Sequence, residues 1–219
     1  MTAHRMTTTA RVVASVVAGF ARLVSGAKMR GFGEGPTTEQ CVYFANHSSH
    51  MDFVVLWSVL PPDVREMTRP VAAKDYWSRG LRRRLACDVF RAVLVDRGAK
   101  PAAIASDAEA QRSKAIQPLI DVLAGGESLI LFPEGTRGDG VEVARFKSGL
   151  YNLCVVRPGL KLVPVYLENL NRVLPKGEFV PIPMICKVTF GAPIGLRDGE
   201  GREEFLVRAR EALVDLRDA

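Results

Sequence analysis

Apolar and polar positions follow two rhythms along this chain. Short apolar runs, rich in β-branched and aromatic residues, stand between turn-forming stretches. They are Cys41 to Ala45, Val71 to Lys74, Ala92 to Val95, Ser128 to Phe132, Leu162 to Leu167 and Ile185 to Phe190. Runs this short, bounded by Gly, Pro and polar residues, predict buried strands. Longer segments with helical patterning lie between them. Phe53 to Leu60 is ended by Pro61-Pro62, since proline cannot continue a helix. Asp75 to Ala86, residues 102–124 (closed by Gly125-Gly126) and Leu150 to Val156 follow. The last helix begins at Gly201, and Phe205, Leu206, Ala209, Ala212, Leu213 and Leu216 form its apolar stripe. Strand and helix in alternation predict a single α/β domain over residues 31–219, a mostly parallel central sheet flanked by helices. Pro164 predicts that its strand lies near an edge or a bulge. Gly31 to Gln40 reads as a loop and Asn171 to Pro183 as an irregular connection.

The start of the chain has a different pattern. Val12, Val13, Val16, Val17, Phe20, Leu23 and Val24 fall on one helical face, and Arg11, Ser15 and Arg22 on the other. The uninterrupted apolar run is too short to span a bilayer, and Arg22 interrupts a signal-peptide reading. An amphipathic helix lying in a membrane interface fits residues 1–30 better, with a helix packed on the core as the alternative. Arg5, Arg11, Arg22, Lys28 and Arg30 all precede the first acid, Glu34, the charge expected beside anionic lipid.

Composition sharpens this. At 219 residues, 47% hydrophobic and 25% charged, the chain can bury a sizeable core. A net charge of +6 favours anionic partners: phosphates, an acidic carrier or an anionic membrane surface. That charge is not gathered into a nucleic-acid module, so no nucleic-acid partner is expected. Arg82-Arg83-Arg84 reads as a solvated face or a dock for membrane or carrier. Cys41, Cys87, Cys154 and Cys186 are widely spaced and read as buried thiols in a reducing compartment.

The candidate chemistry sits at the ends of predicted strands, where open α/β sheets bind ligands. Asn46-His47-Ser48-Ser49-His50-Met51-Asp52 joins the first strand to its helix and holds two of the chain's three histidines. An imidazole takes up a proton near neutral pH, and a carboxylate on one ring nitrogen fixes its tautomer. His47 paired with Asp52 would then deprotonate a bound hydroxyl for attack on a carbonyl. Three other uses fit the same spacing: a capping and packing arrangement, a metal site through His47, His50 and Asp52, and His50 in place of His47 as base. Zinc needs further ligands that the scattered cysteines do not offer, so no metal is expected. Arg97, where the third strand emerges, offers a bidentate clamp for phosphate. In Pro133-Glu134-Gly135-Thr136-Arg137-Gly138 the glycines let backbone approach a ligand, Arg137 offers a guanidinium and Thr136 a hydroxyl. Glu134 is placed to orient the arginine or to accept from a substrate hydroxyl. Lys147 is a further anion contact.

Together these pieces resemble the glycerolipid acyltransferases. Residues 46–52 match that family's N-H-x-S-x-x-D block, and residues 132–138 its F-P-E-G-[ST]-R block. Val163-Pro164-Val165 matches the last, proline-centred block. The resemblance covers about residues 35–195 and is strongest to the 1-acyl-sn-glycerol-3-phosphate acyltransferases. It implies His47 as base and Asp52 as its partner, with Glu134, Gly135 and Arg137 on the acceptor's phosphate and glycerol. Arg97 corresponds to the arginine that ends a G-x-x-F-[IV]-x-R block, in which Arg91 and Leu94 here replace the usual glycine and phenylalanine. The implied reaction moves a fatty acyl group from an acyl thioester, acyl-CoA or acyl-carrier protein, to the sn-2 hydroxyl of lysophosphatidic acid, giving phosphatidic acid. The thioester is a co-substrate, and no cofactor is implied. Another lysolipid such as a lyso-ornithine lipid, or glycerol 3-phosphate, is the alternative acceptor; a peripheral lipid-binding protein is the non-enzyme alternative. Peripheral or monotopic attachment to the cytoplasmic face of the inner or plasma membrane is expected.

Overall fold

The apolar runs assemble into one twisted sheet with helices on both faces. The fold is that of a computed structural model, which describes residues 7–31, 35–49, 51–74, 80–96, 116–170 and 185–218, with Leu81 and Arg82 described by backbone alone. Helix α1 is Thr8–Ser25, β1 Lys28–Gly31, β2 Cys41–Ala45, α2 Asp52–Val59, α3 Pro62–Glu66, β3 Thr68–Ala73, α4 Gly80–Arg84 and β4 Val93–Val95. Helix α5 covers residues 116–124. Then come β5 Ser128–Leu131, α6 Gly149–Val156, β6 Lys161–Glu168, β7 Lys187–Phe190 and α7 Arg202–Val214.

The strand order is β1-β7-β6-β2-β5-β3-β4. From β6 to β4 the strands run parallel; β7 pairs antiparallel with β6, and β1 parallel with β7. Successive side chains on a strand face opposite ways. Cys41, Tyr43 and Ala45 therefore join one core with α1 and α2, while Val42 and Phe44 join the other with α5, α6 and α7. All five residues of β2 are buried because it is central and covered on both faces. Helix α2 is apolar around most of its circumference because it lies between the sheet and α1. It ends before Pro61, and Pro62 opens α3 at the first helical position, where a missing N–H costs nothing.

The α/β architecture agrees with the sequence pattern, and four details differ from it. Strand β6 is interior, so Pro164 is not in an edge strand. Within a strand, a residue's N–H and C=O point to the same side; the Pro164 carbonyl accepts from Gly191 N–H, so its absent donor faces the point where β7 has already ended. Pairing resumes beyond this gap at Leu162 with Ile194. Second, β1 is a strand the apolar pattern did not show, since all four of its residues are exposed. Third, the predicted helix from Asp75 is described only from Gly80, and it passes into a π turn over Leu85–Val89. Fourth, Cys87 lies exposed on that turn, whereas the other three thiols are buried. Burial pushes Cys154 and Cys186 up to about 11, which leaves them inert as nucleophiles. The segments expected at residues 102–115 and at Asn171 to Pro183 lie outside the described residues.

Helix α1 settles onto the core by its small side chains. Ala14, Ala18, Ala21 and Ser25 are buried, and they recur at helical spacing on one face. The large residues point the other way: Val12, Val16, Phe20 and Leu23 are 59%, 66%, 65% and 81% exposed. Among the described residues α1 is the one helix long and apolar enough to cross a membrane, by length and composition only.

Candidate active site

Beyond β2 the chain does not enter a helix at once. Residues 46–49 are irregular, Met51 is in a turn, and α2 starts at Asp52. The Asn46 side-chain amide donates to the Leu167 carbonyl at 2.9 Å and accepts from the Leu167 N–H at 2.8 Å, fastening the end of β2 to β6. His47 is thus placed where the sheet's parallel strands terminate.

The bend folds the His47 ring back onto the first residue of α2. His47 Nδ1 lies 2.8 Å from Asp52 Oδ2, and the same oxygen accepts the backbone N–H groups of Ser48 at 2.7 Å and Ser49 at 2.8 Å. Asp52 is fully buried, and its other oxygen has no partner among the described residues. It caps the bend, stands at a helix N-terminus where negative charge is favoured, and holds the ring. The capping reading and the His–Asp reading therefore describe one arrangement. The ring stacks on Phe132, with centroids 4.5 Å apart and planes at 26°. With 15% of the side chain exposed, Nε2 is the ring nitrogen without a partner among the described residues.

Glu134 locks the two motifs together. Its Oε1 accepts the His47 backbone N–H at 2.6 Å and its Oε2 that of Ala144 at 2.9 Å. Gly138 N–H returns a bond to the His47 carbonyl at 2.8 Å. The Glu134 carboxylate thus faces backbone, where the sequence suggested an arginine or a substrate hydroxyl. Its burial raises its pKa, against the opposing effect of the two N–H donors.

The turn after Phe132 runs through Gly135, Thr136 and Arg137 to Gly138, whose N–H meets the His47 carbonyl. Gly135 has φ +71°, and a Cβ there would lie 2.7 Å from Lys147 Nζ, so the lysine side chain crosses over bare backbone. Lys147 N–H also donates to the Pro133 carbonyl. Thr136 is exposed and Arg137 half-buried; among the described residues no carboxylate pairs with Arg137. Arg97 and His50 lie outside the described residues. Among the described residues no three His, Cys, Asp or Glu side chains converge. Sequence reasoning gave no part to Asn46, Phe132 or the amides of Gly138 and Ala144, and looked to amides near residues 46–52 for an oxyanion without saying which. Asn46 and Phe132 stood inside the matched blocks; the amides carry no side-chain signal.

Arg91, the residue at the family's glycine position, has φ +51°. Glycine adopts that region freely, and other residues at a cost. Its guanidinium bonds the Glu66 carbonyl at 2.8 Å and pairs with Glu127, which Arg69 also holds at 3.1 Å. Glu66, Arg91 and Glu127 precede β3, β4 and β5, and Arg69 is the second residue of β3, at the end of the sheet opposite His47.

Comparisons with known proteins concern the chain and its fold. A family model described as Acyltransferase matches residues 28–168, from the first residue of β1 to the last of β6. A 1-acyl-sn-glycerol-3-phosphate acyltransferase of Limnanthes douglasii is 30% identical over 184 residues, 84% of this chain and 60% of that protein. Taffazin of Dictyostelium discoideum is 30% identical over 149 residues, 66% of this chain and 50% of that protein. The chain thus spans half to three-fifths of these relatives. The crystal structure of the 1-acyl-sn-glycerophosphate (LPA) acyltransferase PlsC from Thermotoga maritima superposes with a TM-score of 0.72 at 19% identity, covering 95% of this chain and 80% of that one. Sheet order, the His47 bend and the matched span lead to one assignment: the chain belongs to the acyltransferase family.

Proposed function

We propose that this acyltransferase moves a fatty acyl group from an acyl thioester to the sn-2 hydroxyl of lysophosphatidic acid, with His47 as general base. The observation that carries this is the His47 ring held by Asp52 through Nδ1, with Nε2 open among the described residues. The names of the Limnanthes relative and its counterparts support the acceptor. In the proposed reaction the acceptor's phosphate meets Arg137 and Lys147, and Arg97 where it is in reach. Gly135 leaves room for the Lys147 side chain to cross the turn. The free hydroxyl gives its proton to His47 Nε2 as its oxygen bonds the thioester carbon. The imidazolium is stabilised by Asp52. Collapse of the tetrahedral oxyanion breaks the C–S bond, and the proton returns to the leaving thiolate. The Ser48, Ser49 and Gly138 amides are already bonded to protein, so the oxyanion takes its donors elsewhere.

The donor is acyl-CoA or acyl-carrier protein, and the bilayer supplies the acceptor. The exposed apolar arc of α1 is the surface that docks on it, which makes the enzyme peripheral or monotopic on the cytoplasmic face. The equal identity to Taffazin supports a second acceptor class, another lysolipid. The test is an assay with one acyl-CoA and a panel of acceptors, products read by mass. Lysophosphatidic acid is expected to react and its phosphate-free analogue not. His47→Ala should lower turnover at least about 100-fold while the thermal melt is kept. Near wild-type turnover in that variant would overturn the assignment.

A further inference from the structure

The polar flank of α1 and the turn α3 enclose a cavity of about 350 Å³ that the proposed chemistry does not use. It lies at the end of α2 away from His47, about 12 Å of helix from Asp52. Arg11 and Ser15 line it from α1, and Trp57, Asp63, Arg65 and Glu66 from the other side. Glu66 is engaged by Arg11 at 2.7 Å, and Asp63 is exposed on the rim. Arg65 differs from both. It is only 7% exposed, its guanidinium lies 5.0 Å from the Trp57 ring centroid, and among the described residues nothing hydrogen-bonds or pairs with its side chain. A buried cation without a counter-charge is costly, and a ligand anion would remove that cost. Burial and then the charge of Arg22 push its pKa down, the effect expected of a guanidinium short of negative charge.

Position around α1 identifies the anion. The buried alanines face the protein, Arg11, Ser15 and Arg22 come next around the helix, and the exposed arc of Val12, Val16, Phe20 and Leu23 follows. A helix resting on a bilayer by that arc holds its polar flank among the headgroups. We propose that the cavity binds the phosphate of an anionic phospholipid, with Arg65 as the buried counter-charge and Arg11 and Ser15 at its mouth. This rests on the membrane-docking reading of α1 and is independent of the His47 chemistry.

Vesicle sedimentation of the full chain tests it, with phosphatidylcholine vesicles that contain or lack phosphatidylglycerol. The variants are Arg65→Gln and Ser15→Glu. Lys28→Gln, on exposed β1, makes the same unit change in net charge as Ser15→Glu outside the cavity. Partitioning onto the phosphatidylglycerol vesicles should fall on the order of fivefold to tenfold in both cavity variants and less in Lys28→Gln. Transfer to a monomeric short-chain acceptor should be unchanged. Ser15 is exposed, so its variant gives an answer even where Arg65→Gln lowers stability. A Ser15→Glu protein that partitions no worse than Lys28→Gln overturns the proposal. So does inorganic phosphate that raises the wild-type melting temperature while partitioning stays the same in the variants, since the cavity then serves a soluble phosphate. Wild-type protein that binds neither vesicle sinks the membrane-docking reading itself, whereas intact binding with silent variants sinks only the phosphate site.

Discussion

At the scale of single residues, Asp52 performs two tasks with one oxygen. It ties down the bend through two amides and orients the His47 ring. Asn can keep an acceptor for the amides but cannot balance an imidazolium. Asp52→Asn should therefore reduce kcat about 100- to 10,000-fold with a small change in melting temperature, read at saturating acceptor. Glu134 makes a different prediction, because its carboxyl is buried and its pKa raised. Between the unfolded value of about 4.5 and the higher folded value, the folded chain keeps a proton that the unfolded chain releases. Its contribution to stability therefore falls as pH rises through that window. Glu134→Gln should remove this slope from melts taken across the window. The amide offers one acceptor where two N–H groups need one, so about 1–3 kcal/mol of stability should also be lost.

At the scale of elements, α1 shows why a helical stripe does not say what it faces. The valines and Phe20 form the stronger apolar stripe, yet the alanine face packs on α2 because small side chains let two helices approach closely. The large residues are left outward. Phe20→Ser with Leu23→Ser should change folding stability by under about 0.5 kcal/mol, since both side chains are exposed. The same pair should weaken vesicle partitioning on the order of a hundredfold, because each loses the transfer energy of a large apolar group. Equal partitioning of wild type and double variant would remove α1 as the docking surface. Pro164 teaches the same lesson in the sheet: a proline implies a missing donor, and an interior strand tolerates it where its neighbour stops short.

At the scale of the molecule, the sheet separates two ends with different demands. The His47 end holds an imidazole nitrogen and an Arg137 guanidinium that have no partner among the described residues, and a glycine crossed by Lys147. The other end holds Arg91 in a left-handed conformation clamped by Glu127 and the Glu66 carbonyl. An unusual residue at the family's glycine position therefore reports on folding. Arg91→Ala keeps the strained φ and loses the pair; Arg91→Gly loses the pair and relieves the strain. Chemical denaturation should find the glycine variant more stable than the alanine variant by about 1 kcal/mol. The acceptor KM should be the same in both, and a KM shift would bring Arg91 back to the acceptor side.

Much of this molecule was readable along the chain. The alternation of short β-branched runs with helical stripes set the layers, because the periods of strand and helix are local properties of the backbone. The matched blocks brought His47, Asp52 and the Glu134 to Arg137 turn into consideration together. Other features depended on folding. Glu134 meets an amide 87 positions earlier, Arg91 meets Glu127, and Arg65 is buried over Trp57 with nothing paired to it among the described residues. Exposed β1 carried no apolar signal, and α1 buries its small side chains rather than its large apolar ones. Periodicity records what each residue asks of its immediate surroundings. Which distant donor, charge or cavity answers it is decided only when the strands have been placed in order and the helices packed against them.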